Sequence, residues 1–338
     1  MSSSNITFLH ARLDDRSLEA RYGHEQARRL IRQQHEFAAE KEIVTGEVGI
    51  VRETETDLVL VLTDPLAVSS PNLVGSLIAI MNADRDLAAA VPTTNLTDDD
   101  RAFREPPEGL LTLGQMERAF PTPTTRFHRV SWKDADPGLF LARTDRLDAE
   151  AETIHRTLSG ATIAVAEDAY IYRYAPQQSM PRLDLLELIP TDVGSVLEIG
   201  CGEGILGGRI RDRQDARVVG IEIDSRAASI ARDRLDRVWA SDASEALIEI
   251  DERFEWVVGG DVLEHLADPW EFLRQLKRVV TPDGKLLLSI PNVAVWPVIA
   301  ELLRGRFDYA YAGHLSAGHL RFFTRRTIEE TIEMGGWE

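Results

Sequence analysis

The chain contains a single cysteine, Cys201, in 338 residues. An internal disulfide is therefore excluded, and a reducing compartment such as the cytoplasm is the expected location. Long apolar runs are also missing. The longest, Leu58-Val-Leu-Val-Leu62, falls far short of the ~20 residues that cross a bilayer as a helix, so no membrane span is expected. The opening Met1-Ser-Ser-Ser-Asn5 lacks the basic-then-apolar pattern of a secretory signal. Cations are scarce, with 38 Lys and Arg against 56 Asp and Glu and a net charge of −18. Such a field repels nucleic acid and anionic membrane, and nucleic acid is not expected as a partner. No internal repeat or low-complexity tract is present. What remains, 43% apolar and 28% charged, is ordinary for a soluble globular protein, and the length suits two domains.

The pattern along the chain divides near residue 178. Before it, residues 11–41 read as a charged helix, Asp57–Pro65 as a buried strand stopped by Asp-Pro, and Pro71 opens a helix through Met81. Leu87–Val91, Leu139–Ala142 and Ala161–Val165 read as further strands, 93–108 as loop, 147–158 as helix and Tyr174–Pro181 as linker. Residues 1–178 are thus expected to form a smaller α/β accessory domain, and 179–338 a second domain. In the second, strands at Ser195–Ile199, Arg217–Ile223, Val238–Ala240, Trp256–Gly259 and Lys285–Ile290 alternate with helices, including Ala227–Leu235 and Trp270–Val280. That alternation predicts a Rossmann-like, doubly wound parallel sheet.

The run Ser195-Val-Leu-Glu-Ile-Gly-Cys-Gly-Glu-Gly-Ile-Leu206 joins a strand to a helix through Gly200, Gly202 and Gly204. Glycines at this spacing allow positive φ and close approach of a ligand, and the helix start offers free N–H groups to an anionic group. Acids follow at successive strand ends. Glu198 can orient the loop or the cofactor beside it, Glu222 can accept from ribose hydroxyls, and Asp242 can meet an adenine amino group. Glu222 and Asp242 could instead cap the helices that follow them. The stretch Gly202-Glu-Gly204-Ile-Leu-Gly207 also fits Gly-x-Gly-x-x-Gly, so a nicotinamide dinucleotide is the rival ligand and an oxidoreductase the rival function.

Asp261, Glu264 and His265 stand at i, i+3 and i+4. On a helix they share one face, where two acids and an imidazole suit a divalent metal such as Mg²⁺. The alternatives are a capping box from Asp261 to Glu264 and His265 alone as general base.

Taken together, Glu198-x-Gly-x-Gly-x-Gly204, Gly220-Ile-Glu222, Asp261-Val-Leu-Glu-His-Leu266, Thr281–Asn292 and Gly318-His-Leu-Arg-Phe-Phe-Thr324 resemble class I methyltransferases that use S-adenosylmethionine (SAM). The similarity is to the branch with the ubiquinone-biosynthesis O-methyltransferases and glycan- or antibiotic-modifying relatives, and it covers residues 183–338. It implies SAM on Glu198, the three glycines, Glu222 and Asp242, with the methionine moiety near Glu198. It also implies that His319 joins Asp261, Glu264 and His265 at a metal that holds the acceptor oxygen. The family continues past the helix at Arg325–Met334 with two more strands, whereas this sequence stops at Trp337-Glu338, so a sheet lacking its last two strands is expected. Residues 57–92 and 137–174 resemble family 2 glycosyltransferases of the GT-A fold in degenerate form, since Leu62-Thr-Asp-Pro65 carries one acid where that family has a pair. The implied function is O-methylation of a hydroxyl on a small-molecule or glycan acceptor, with the first domain used for docking or as the contact of a homodimer. A non-catalytic scaffold is the third possibility. The segment Trp296–Ala317, with Arg304, Arg306, Tyr309, Tyr311 and His314, is a candidate lid or plain packing.

Overall fold

The computed structural model describes residues 6–12, 18–44, 56–63, 66–94, 115, 125–132, 138–147, 156–173 and 181–338. The chain divides into two compact units, Met1–Ala175 with Ala300–Ala317, and Pro176–Ile299 with Gly318–Glu338. No helix among the described residues is long and apolar enough to cross a membrane.

In the first unit the described strands are β1 (Ile6–Arg12), β2 (Ala39–Val44), β3 (Leu58–Leu62), β4 (Leu66–Ser69), β5 (Ala89–Thr94), β6 (Phe127–Ser131), β7 (Leu139–Arg143) and β8 (Thr162–Arg173). They form one mixed sheet in the order β2-β1-β3-β7-β5-β8-β4, with β6 paired to β8. Among the described residues the helices longer than one turn are α1 (Leu18–Gln34) and α2 (Leu73–Ala83). Strand β3 shows why the sheet is buried on both sides. Leu58, Leu60 and Leu62 enter one apolar cluster while Val59 and Val61 enter the other, as the two-residue period of a strand requires.

The helix expected over 11–41 is shorter than its charge pattern suggested. Only Leu18–Gln34 is helical, and strands β1 and β2 flank it. Among the described strands, β2 lies at the sheet edge and pairs with β1 alone, so it can be as polar as Ala-Glu-Lys-Glu-Ile-Val without the apolar run of a central strand. Its Glu40 accepts from Arg28 at 2.7 Å and from Arg32 at 2.6 Å, both on α1. These two ion pairs use the charges that read as a continuing helix. Strands β4 and β6 were not anticipated. The expected helix near 147–158 lies largely outside the described residues, with 3₁₀ turns at Thr144–Arg146 and Arg156–Leu158 on its flanks. Of the expected loop at 93–108, Thr93 and Thr94 instead belong to β5, which extends further than its apolar run, and the rest lies outside the described residues, as does the expected linker Tyr174–Pro181 apart from Pro181.

The second unit alternates strand and helix. The elements are α3 (Leu183–Leu188), β9 (Ser195–Ile199), α4 (Ile205–Gln214), β10 (Arg217–Ile221), α5 (Ser225–Ala231), β11 (Arg237–Trp239) and α6 (Ala243–Glu249). There follow β12 (Phe254–Gly260), α7 (Pro269–Leu276), β13 (Val280–Ser289), α8 (Trp296–Leu303), which runs on into Ala300–Ala317, and α9 (Arg325–Met334). The described sheet has five strands in the order β11-β10-β9-β12-β13, and every pairing is parallel. This is the doubly wound α/β arrangement that the sequence predicts. Alternate residues again face opposite cores: Leu197, Val219 and Val257 one side, Val196, Val218 and Val258 the other. Each such buried side chain contributes about 1.5–3 kcal/mol. The chain starts in the centre at β9, runs outward to β10 and β11, then returns to β12. The direction therefore reverses at the carboxyl end of β9, where ligands bind in folds of this class.

Candidate active site

The glycine loop lies at that reversal. Gly200, Gly202 and Gly204 all have positive φ, at 66°, 54° and 73°, a region costly for any residue with a Cβ. Space is short too, since a Cβ on Gly200 would approach Val262 Cγ2 to 2.9 Å. The N–H groups of Gly200 and Cys201 donate to the Ile221 carbonyl at 2.8 and 3.0 Å, which ties the loop to the end of β10. Gly204 then stands at the N-cap of α4.

Glu222 braces the same loop from the next strand. Its Oε2 accepts from Gly202 N–H and its Oε1 from Asp224 N–H, each at 2.8 Å. It is buried and stands where two successive strand ends meet. Ile223, the next residue, is 72% exposed. An isoleucine so exposed beside a buried acid leaves apolar surface open at the carboxyl end of the sheet. The sequence signal was an apolar residue directly after the acid, two positions beyond the end of β10; sequence reasoning took it as the last residue of the strand.

Glu198 is carried by β9, the central strand. It belongs to the face of β9 that carries Val196, under the first turn of α4, where a Cβ on Gly207 would meet its Oε2 at 2.6 Å. Burial pushes its carboxyl up to about 8, against the amide of Gly207 and with added repulsion from Glu222. Its Oε2 has no hydrogen-bond partner among the described residues. The structure thus places the Glu198 carboxyl against the first turn of α4. Asp242 caps α6 by accepting from Ser244 N–H at 2.8 Å, one of the two roles its position allowed.

Beyond β12 the four predicted acceptor-side residues separate into three and one. The segment is a 3₁₀ turn at Leu263–His265, not the α-helix that would line up Asp261 with Glu264 and His265. No capping box forms either, because the N-cap position falls to Val262 and makes no side-chain bond. Asp261 has φ 56° and its carboxylate turns to Arg182 Nη1 at 2.9 Å and Ser289 Oγ at 3.2 Å. It therefore does not join the cluster, a correction to the expected ligand set. Glu264, His265 and His319 do come together, with one ligating atom from each within 4.8 Å of the others. His319 arrives because Leu320 N–H and Arg321 N–H donate to the Glu264 carbonyl at 2.7 and 3.0 Å. The His265 and His319 rings lie edge to face, centroids 4.9 Å apart.

Glu264 is only 1% exposed, and neither of its carboxylate oxygens has a hydrogen-bond partner among the described residues. His319 Nε2 stands 4.0 Å from Oε1, too far for a hydrogen bond. Burial pushes the Glu264 carboxyl up to about 8, with repulsion from Asp261 adding and Arg182 opposing. A buried acid with unused oxygens beside two imidazoles is a site that awaits a proton or a cation.

The candidate lid is resolved differently. Ala300–Ala317 groups with the first unit. There Tyr309 lies edge to face with Tyr22, centroids 6.4 Å apart, and Tyr311 covers Gly23, where a Cβ would clash at 2.7 Å. These two aromatics pack on α1.

Comparison with known proteins is consistent with this geometry. Residues 171–338 match the family model described as "Methyltransferase domain". This part of the chain is thus similar to class I SAM-dependent methyltransferase domains. The chain is 31% identical over 144 residues to a probable S-adenosylmethionine-dependent methyltransferase of Mycolicibacterium smegmatis, covering 42% of this chain and 51% of that one. It is 26% identical over 160 residues to a ubiquinone biosynthesis O-methyltransferase of Azorhizobium caulinodans, covering 46% and 63%. It is 34% identical over 133 residues to the 27-O-demethylrifamycin SV methyltransferase of Amycolatopsis mediterranei, covering 36% and 48%. The chain thus spans roughly half the length of the curated relatives it matches. SAM is the cofactor that the family implies, and the methyltransferase domain takes precedence over the dinucleotide alternative at the glycine loop.

Proposed function

We propose that the protein transfers the methyl group of SAM to a hydroxyl oxygen, with a glycan or glycosylated metabolite as the acceptor class. The observation that carries the oxygen assignment is the trio Glu264, His265 and His319 next to the cofactor loop, with Glu264 and His319 buried, His265 half-buried, and both Glu264 carboxylate oxygens without a hydrogen-bond partner among the described residues. The contact of Val262 with Gly200 puts the turn bearing Glu264 and His265 beside the first glycine.

The sulfonium already activates the methyl group, so the protein needs mainly to align the acceptor in line with it and to exclude water. Glu222 and the glycine loop hold the nucleoside, and Ile223 covers its base. A hydroxyl is too weak a nucleophile until its proton is removed. In this reading His265 accepts that proton at a ring nitrogen as the O–CH₃ bond forms and the S–CH₃ bond breaks, which leaves S-adenosylhomocysteine (SAH). Glu264 and His319 fix the His265 ring and balance the resulting imidazolium. One carboxylate and two imidazoles also fit a divalent cation, and the two unused oxygens of buried Glu264 support one here. That donor set suits Mn²⁺, Co²⁺ or Zn²⁺ better than the all-oxygen preference of Mg²⁺. Once bound, such a cation would lower the pKa of an acceptor hydroxyl. The glycan assignment leans on the resemblance of residues 57–92 and 137–174 to GT-A glycosyltransferases, and in this reading the first unit docks the acceptor.

The test is transfer of labelled methyl from SAM to a fractionated extract, paired with calorimetry against SAH and NAD. Heat with SAH alone, and label in an alkali-stable ether on a glycan-containing fraction, is expected. Label confined to amines or to alkali-labile esters refutes O-methylation, and heat with NAD instead of SAH refutes the cofactor.

A further inference from the structure

Four non-glycine residues among those described have positive φ, and two of them, Arg182 (41°) and Asp261 (56°), meet through their side chains. A left-handed backbone costs an L residue on the order of 1 kcal/mol and persists only where the surroundings over-determine it. Three bonds do so at Asp261. Its N–H donates to the Ser289 carbonyl at 2.9 Å, Ser289 Oγ donates to Oδ1 at 3.2 Å, and Arg182 Nη1 donates to Oδ2 at 2.9 Å. Arg182 is itself held, with Nε and Nη2 forked onto Asp184 at 3.1 and 2.9 Å. The guanidinium sits against the backbone at Gly260, where any Cβ would lie 2.5 Å from Nη1.

The Asp261 side chain is 43% exposed, and an ion pair so wet adds little to global stability. Its place in the chain gives it another use. The Leu263–His265 turn begins two residues later. The far end of that turn is fixed by the bonds from Leu320 and Arg321 to the Glu264 carbonyl. The near end has the Arg182–Asp261–Ser289 contact.

We propose that Arg182 is a positioning residue that clasps Asp261, with Ser289 as the second jaw, and so holds Glu264 and His265 in register with His319. The proposal rests on the reading that these three side chains form a cation-binding, acceptor-side group. Arg182 touches neither cofactor nor acceptor in this scheme; three of its five N–H donors go to Asp184 and Asp261.

The test uses the full chain with Co²⁺ as the probe, read by its visible absorption, and SAH calorimetry as the check of fold. Arg182→Gln and Asp261→Asn are expected to weaken Co²⁺ binding about tenfold or more, as loss of a group that orients metal ligands does, while SAH affinity stays at the wild-type value. Arg182→Lys, which keeps one bond and the charge, is expected to recover part of the loss. Asp261→Gly relieves the backbone but removes the carboxylate, so it is expected to resemble Asp261→Asn. Wild-type Co²⁺ affinity in Arg182→Gln, or in Asp261→Gly, overturns the clasp. Absence of a Co²⁺ band in the wild type defeats the cation reading instead. The clasp is then decided by hydrogen exchange at Leu320 and Arg321, whose amides report the Glu264 carbonyl. Exchange about tenfold faster in Arg182→Gln supports it, since a loosened turn opens more often, and unchanged exchange refutes it.

Discussion

Replacing Glu222 by glutamine gives the most direct test of the cofactor site. Both carboxylate oxygens are in use, Oε2 on Gly202 N–H and Oε1 on Asp224 N–H, each at 2.8 Å, and the residue is only 7% exposed. Glutamine keeps one oxygen. Its amino group must then face the second N–H, donor against donor, and a buried amide is left unpaired. A hydrogen bond to a charged acceptor contributes about 1.5–3 kcal/mol. Glu222→Gln should therefore cost about 2 kcal/mol locally, and Glu222→Ala, which removes both acceptors, about 4 kcal/mol. One of the two amides belongs to the glycine loop, and in the proposed function the same carboxylate receives the ribose hydroxyls. The cost should thus appear in ligand affinity, where 2 kcal/mol is about 30-fold in Kd. Calorimetry with SAH measures that loss, and urea unfolding without ligand measures the stability part separately. An SAH affinity within about twofold of wild type in Glu222→Gln, a difference below 0.5 kcal/mol, would refute both the bracing of the loop and the ribose role.

Three further outcomes follow from the same geometry. Glu198, with its carboxyl pushed up to about 8 by burial, stays protonated in the fold while the unfolded chain ionises near its ordinary value of about 4.3. Its contribution to stability is full below that value and is lost as pH rises through about 8, so Glu198→Gln should flatten the decline in urea stability between pH 5 and 8.5, and an unchanged slope would count against the shift. His265→Ala should reduce methyl transfer by at least ~100-fold, in line with the loss of a general base, while SAH binding is retained; full turnover would remove His265 from the mechanism. Ile223→Asp should weaken SAH binding about tenfold or more by setting a charge where a purine face belongs, and wild-type affinity would show that the exposed isoleucine has no ligand role.

Where local pattern and global constraint agree, the sequence was readable. The doubly wound sheet follows from short apolar strands alternating with helices, and β9 runs over Ser195–Ile199 as expected because its valine, leucine and isoleucine feed two cores at once. The glycine loop was legible for the same reason: three positive φ values can be met cheaply by one residue type. Edge strand β2 was hidden because a strand paired on one side need not be apolar. The acceptor-side group shows a subtler limit. The spacing of Asp261, Glu264 and His265 assumes a helical period, and a period predicts a shared face only if the backbone keeps it. At Asp261 it does not, since a left-handed residue breaks the run and the carboxylate turns to Arg182, 79 positions earlier in the chain. Local spacing cannot report a partner so distant. His319 comes beside Glu264 and His265 where Asp261 does not; its position was carried over by resemblance to whole motifs, and the two backbone bonds from Leu320 and Arg321 to Glu264 supply the physical reason for the proximity. The same two bonds make the residues after His319 as much a part of the site as the histidine itself, because whatever moves the Glu264 carbonyl must also move the segment that carries His319.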